Sequence, residues 1–231
     1  NPTAPVLLGQ STVEKNYLSD LFIVGDRALA TTQGIGTFLG SVLSQFGDVF
    51  SLDLTDPNAV AVTDALLGNA ANYNQNGGEV VDASTLYVAS TTSTGSATQQ
   101  GNGLVRIIDY SDPANLTQVG QLTIPGTVQA LEIAVDGNRA LVVGSTGGWN
   151  LGPAGIQLTG RMTLTLLDIT DRLHPVVLGT TLVTDSLNRP VDTADGGAKL
   201  SMLALGNGRF AISRGYVNGQ FALSVLHQGV A

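Results

Sequence analysis

The chain has 231 residues, 43% hydrophobic and 12% charged, with a net charge of −8. That composition supplies a core and excludes a disordered chain, and the acidity excludes nucleic acid and anionic membrane surfaces, both of which need a basic partner face. The absence of Cys excludes disulfides, thiolate metal sites and cysteine catalysis, and no apolar run reaches the ~18 residues of a membrane-spanning helix.

Short apolar or alternating runs, bounded by Gly, Asn, Asp and Pro, predict four β-strands in each of four units. In chain order the strands of a unit are d, a, b and c. The first unit has d at Val6–Gln10, a at Leu18–Val24, b at Arg27–Thr32 and c at Asp48–Leu54. The second has Ala59–Leu66, Glu79–Asp82, Thr85–Ser90 and Leu104–Tyr110. The third has Leu116–Thr123, Val128–Val135, Arg139–Ser145 and Arg161–Ile169. The fourth has Val176–Val183, Lys199–Leu205, Arg209–Ser213 and Gln220–Leu226. Gly25-Asp26, Asp136-Gly137-Asn138 and Gly206-Asn207-Gly208 supply a–b turns, because these residues tolerate the positive φ of a tight hairpin. Ala83-Ser84 is a weaker turn at the same place. Gly36–Gln45 is the one run with a helical pattern, enough for a turn or two inside a loop.

Between c and the next d the same phrase returns: Asp53-Leu54-Thr55-Asp56-Pro57, Asp109-Tyr110-Ser111-Asp112-Pro113 and Asp168-Ile169-Thr170-Asp171-Arg172. Asn1-Pro2-Thr3-Ala4-Pro5 reads as the tail of another copy, and His227 falls one further period on. A recurrence of this size is a repeat architecture. Pro prefers the start of a strand, and the Asp before it can accept from an N–H two residues on. The phrase therefore reads as a corner that turns c into an antiparallel d, with no chemistry of its own. Four antiparallel strands per unit without helices predict an all-β fold of β-propeller blades in a single module over 1–231, with units of about 1–55, 56–111, 112–170 and 171–231. A pair of β-sandwiches is the alternative, though it leaves the equal spacing unexplained.

Gly103-Leu104-Val105-Arg106-Ile107-Ile108-Asp109-Tyr110-Ser111-Asp112-Pro113, with Val119-Gly120 after it, resembles the LVIVD repeat of bacterial and archaeal secreted proteins. Pro175-Val176-Val177-Leu178-Gly179 and Asp136-Gly137-Asn138-Arg139-Ala140-Leu141-Val142-Val143 are similar to parts of it. The resemblance implies propeller blades and a secreted or surface location; it implies no catalytic residues. Arg172 in place of Pro, His227 in place of Asp and the longer loops depart from the pattern.

In a propeller the d–a and b–c connections leave one face and the a–b and c–d turns the other. Here the first set is long and the second short, which places a ligand site on the long-loop face. Asn72-Tyr73-Asn74-Gln75-Asn76 and Gly147-Gly148-Trp149-Asn150 stand out there. An aromatic face beside amides suits a sugar, so Trp149, Asn150, Tyr73, Asn74, Arg189 and Asp192 are the candidate ligand-binding residues. Asp192 and Asp195, in Asp192-x-x-Asp195-Gly196-Gly197, are weak candidates for Ca²⁺, as are carboxylates near the inner strands: Asp20, Glu79, Asp82 and Glu132. His174 and His227 have neither a nucleophile nor metal-ligand spacing beside them. Asn115-Leu116-Thr117 fits the glycosylation acceptor pattern, which matters only in a eukaryotic secretory host.

The expected function is a secreted or cell-surface binding module with a carbohydrate or protein ligand, no resident cofactor other than Ca²⁺, and no nucleic-acid or membrane partner. A propeller hydrolase or lactonase-like enzyme with a channel metal, and a structural spacer, are the rivals. Lacking an initiator Met and opening inside a repeat phrase, the sequence reads as part of a longer precursor. Either four blades close by pairing Val6–Gln10 with Gln220–Leu226, or the ring is larger and is completed by a second copy or by further precursor segments.

Overall fold

Alternating side chains punctuated by turn formers leave no helical stripe, and the chain folds accordingly: the described residues contain strands and no helix. The computed structural model describes residues 7–8, 10, 17–33, 48–67, 73–92, 101–147, 149–152, 155–158, 160–184, 200–217 and 220–227. The first sheet is β1 (Tyr17–Val24), β2 (Arg27–Gln33), β3 (Val49–Asp53) and β4 (Ala61–Leu66), adjacent in chain order and antiparallel. The second is β5 (Tyr73–Val80), β6 (Thr85–Thr92), β7 (Gly103–Asp109) and β8 (Thr117–Thr123). In the third, β9 (Gln129–Asp136), β10 (Arg139–Ser145), β13 (Met162–Asp168) and β14 (Val176–Leu182) form the sheet, while β11 (Trp149–Gly152) and β12 (Gly155–Leu158) make a separate hairpin between β10 and β13. The fourth holds β15 (Ser201–Gly206), β16 (Arg209–Val217) and β17 (Gln220–His227).

Each four-stranded sheet thus joins the a, b and c strands of one unit to the d strand of the next, across the Asp-rich corner. The corners are built as the sequence predicts. Asp56, Asp112 and Asp171 accept from the N–H of Asn58, Ala114 and Leu173 at 2.9, 3.0 and 3.0 Å. Asp53, Asp109 and Asp168 do the same for Thr55, Ser111 and Thr170 at 2.8, 2.8 and 2.9 Å. The Thr170 hydroxyl first, then its N–H and the Arg139 guanidinium, hold the Asp168 carboxyl down at about 2.

Register makes the sheets comparable. Arg27 faces Asp53, Thr85 faces Asp109, Arg139 faces Asp168 and Arg209 faces His227. Counting from these positions, Leu86 and Val88 point back to the first sheet and Tyr87 and Ala89 forward to the third. Ala140 and Val142 point back, Leu141 and Val143 forward, and Phe210 and Ile212 back to the third sheet. Every internal contact is therefore a leading face on a trailing face, and the middle strands are apolar on both sides. The exposed strands are the last in each sheet: β8 alternates half-buried and exposed, and β14 is almost wholly exposed. The first strands meet between neighbouring sheets, β1 with β5, β5 with β9 and β9 with β15; among the described residues no comparable contact joins β15 to β1. The sheets form an open series.

Several expectations need correction. The fourth sheet has three strands among the described residues, not four. Leu7, Leu8 and Gln10, expected in the first d strand, lie outside any strand. The inner strand of the second unit runs from Tyr73 to Val80 rather than Glu79–Asp82. Gly77 and Gly78, which the expected strand leaves in the connection before it, mark close approach. A Cβ on Gly77 would sit 2.3 Å from Glu132 Oε1, and one on Gly78 3.1 Å from the Tyr87 carbonyl. Gly36–Gln45 lies outside the described residues.

Candidate functional site

The end of the sheets where b leaves for c is fixed by direct contacts. Gly103, at the start of β7, gives its N–H to the Thr127 carbonyl at 3.0 Å, just ahead of β9. The start of each inner strand and the end of each second strand therefore share this end, together with the d–a and b–c connections. Tyr73 and Asn74 open β5 here, opposite Thr92 and Thr91 at the close of β6. Trp149 and Asn150 open β11, opposite Leu158 and Gln157, in the hairpin that interrupts the β10–β13 connection. Tyr73 and Asn74 thus belong to the second sheet, and Trp149 and Asn150 to a hairpin separate from the third sheet. Both pairs belong to strands, not to the irregular loops their Asn and Gly content predicts. Arg189, Asp192 and Asp195 lie outside the described residues.

Polar groups are also buried at this end. The Thr127 and Thr163 hydroxyls are 3.1 Å apart, and the Oε1 of Gln129, at the first residue of β9, is buried without a hydrogen-bond donor.

The second feature is a run of carboxylates along the inner strands. Asp20 faces Thr31, Gly77 faces Ala89 and Glu132 faces Val143, so the three hold one register position in successive sheets. Asp20 Oδ2 accepts from the Gly78 N–H at 3.1 Å. Glu132, buried from the other side, fills the space over Gly77 and accepts from the Ile133 N–H at 3.1 Å. β5 is therefore gripped at adjacent residues by acids from both neighbours. Glu79, two residues on, is pushed up to about 7 by burial first and by the Asp20 charge second. Among the described residues no group of three or more His, Asp or Glu is placed to hold a metal ion.

The opposite end carries the corners. His174 sits there with Nδ1 3.0 Å from Asp171 Oδ2, both exposed, and no nucleophile is placed beside it in the corner's hydrogen bonding. Asp82 caps its own turn through the N–H groups of Ser84 and Thr85, both at 2.9 Å. It belongs to the a–b turn, not to the inner face.

No family model matches the chain, and no curated protein matches it. Among solved structures it is similar to a chain in the S. cerevisiae complex of a Dbp5 variant bound to Nup159, a Gle1 variant, IP6 and ADP. The identity is 8% and the TM-score 0.38; the match covers 92% of this chain and 60% of that one. No helix among the described residues is long and apolar enough to cross a membrane.

Proposed function

We propose that the chain is a secreted or cell-surface β-propeller binding module that takes carbohydrate at the end carrying the long connections. The observation that supports this reading is that Tyr73-Asn74 open an inner strand and Trp149-Asn150 open a hairpin inserted in a b–c connection. An aromatic face paired with amide donors and acceptors suits a sugar ring and its hydroxyls. The low Lys content with many Thr, Ser, Asn and Gly, and the likeness of the Asp-Pro corners to the LVIVD repeat, support a secreted setting. A glycan array probed with the purified chain tests the reading. Selective retention of a glycan class supports it; a blank array with capture of a surface protein supports the protein-ligand form, and a blank in both assays supports the spacer reading.

A hydrolytic reading has one observation in its favour. Glu79 titrates near neutrality on an inner strand beside Asp20, where a carboxyl can exchange a proton at physiological pH. Elemental analysis of the purified protein separates the two: a stoichiometric, tightly held Ca²⁺ or transition metal favours the enzyme.

A further inference from the structure

The hairpin β11–β12 is separate from the third sheet, yet it keeps that sheet's register. Ser145 faces Met162, and Trp149 faces Leu158, four residues on in one strand and four back in the other. Between them the Thr146 N–H donates to the Arg161 carbonyl at 3.0 Å, and the Arg161 N–H to the Thr146 hydroxyl at 2.9 Å. Faces alternate along a strand, so Thr146 with Arg161 and Asn150 with Gln157 continue the face that carries Ala140 with Leu167, Val142 with Thr165 and Gly144 with Thr163. That face is turned back to the second sheet. The second sheet presents Thr91, at the close of β6, and Asn74 opposite it, on the face that carries Tyr87 and Ala89.

Arg161 brings a charge to this set of hydroxyls and amides. Its side chain is exposed, and its guanidinium makes no hydrogen bond or ion pair among the described residues. The arginines of the corner end are engaged: Arg139 pairs with Asp168 at 2.6 Å, Arg172 donates to the Gly137 and Ile169 carbonyls at 3.0 and 2.9 Å, and Arg209 to the Gly206 carbonyl at 3.3 Å. The carboxylates Glu79 and Glu132 lie further from the long-connection end, opposite Tyr87 and Val143. We propose that the second and third sheets at this end select an anionic carbohydrate, with Arg161 reading its carboxylate or sulfate. This rests on the carbohydrate reading above and adds the charge of the ligand. A guanidinium fork matches a carboxylate or sulfate with two parallel hydrogen bonds, whereas a neutral sugar leaves its charge unused. In a chain of net charge −8, an arginine with no carboxylate partner is the group that can draw such a ligand to this end.

The test is an array with carboxylated, sulfated and neutral glycans, probed with the wild type, Arg161→Gln, Arg161→Lys and, as a control at the other end, Arg209→Gln. The wild type should retain anionic glycans, and the carboxylated and sulfated panels tell the two groups apart. Arg161→Gln should weaken that binding about tenfold or more, the loss of a charged hydrogen bond. Arg161→Lys should recover part of it, and Arg209→Gln should match the wild type. The Arg161 backbone bonds survive in both variants, so thermal melts should be unchanged. Neutral glycans retained in preference, or anionic glycans bound equally by Arg161→Gln, would overturn the inference and leave the carbohydrate reading standing. An array blank in all three panels would overturn both.

Discussion

The Tyr87 hydroxyl donates to the Arg172 carbonyl at 2.7 Å, across 85 residues of sequence. It ties the second sheet to the corner of the third. Tyr87 is buried on the forward face of β6, and that burial pushes its phenol up to about 12, so it remains a donor at any ordinary pH. Tyr87→Phe should lower stability by about 1 kcal/mol, the net worth of one hydrogen bond, with the sheet packing unchanged. Chemical denaturation checks it. A loss several times larger would mean that the ring also moves.

Gly103 and Gly179 should answer differently to the same substitution. A Cβ on Gly103 would stand 2.8 Å from the Ala130 nitrogen and 2.9 Å from the Gln129 carbonyl carbon, both backbone. Nothing lies within 4 Å at Gly179. Gly103→Ala must part the second and third sheets and should cost about 1–3 kcal/mol, the usual range for overpacking. Gly179→Ala should be within about 0.5 kcal/mol of wild type. Thermal melts of the two variants side by side distinguish a contact glycine from a permissive one.

Two carboxyls should give the stability curve opposite slopes in different pH windows. Asp168 is held at about 2 against an ordinary 3.8, so the folded state binds its proton less readily. Its contribution is present above 3.8 and is lost as pH falls toward 2. Asp168→Ala should lower the Tm at neutral pH and flatten the acid limb. Glu79 is held at about 7 against an ordinary 4.5, so the folded state binds this proton more readily. Its contribution is present below 4.5 and is lost as pH rises through 7. Urea midpoints should fall across that interval in the wild type, and Glu79→Gln should remove that part of the slope.

The corners were legible because their chemistry is local. Asp112 reaches Ala114 within the phrase that announces it, so composition and spacing suffice. Strand alternation was legible for the same reason along β6 and β10. The inner strand of the second sheet was not. Gly77 and Gly78 carry the ordinary mark of a turn, and the reason they are glycines lies in Glu132, on another sheet and far along the chain. Trp149 was expected in a loop, since Gly147-Gly148 outweighed a four-residue strand that pairs with its own hairpin mate. The grip of Asp20 and Glu132 on β5 combines residues from three repeats. The acids were visible in the sequence as inner-strand carboxylates; their shared register needed the pairing.

Trp149 is the only Trp in the chain, so its fluorescence reports one location. Titration with the glycan selected on the array should change that emission, and Tyr73→Ala and Asn150→Ala should each weaken binding by about tenfold or more, as truncation of a central contact does. A ligand that binds with unchanged emission and unchanged affinity in both variants would contradict a binding site at the long-connection end.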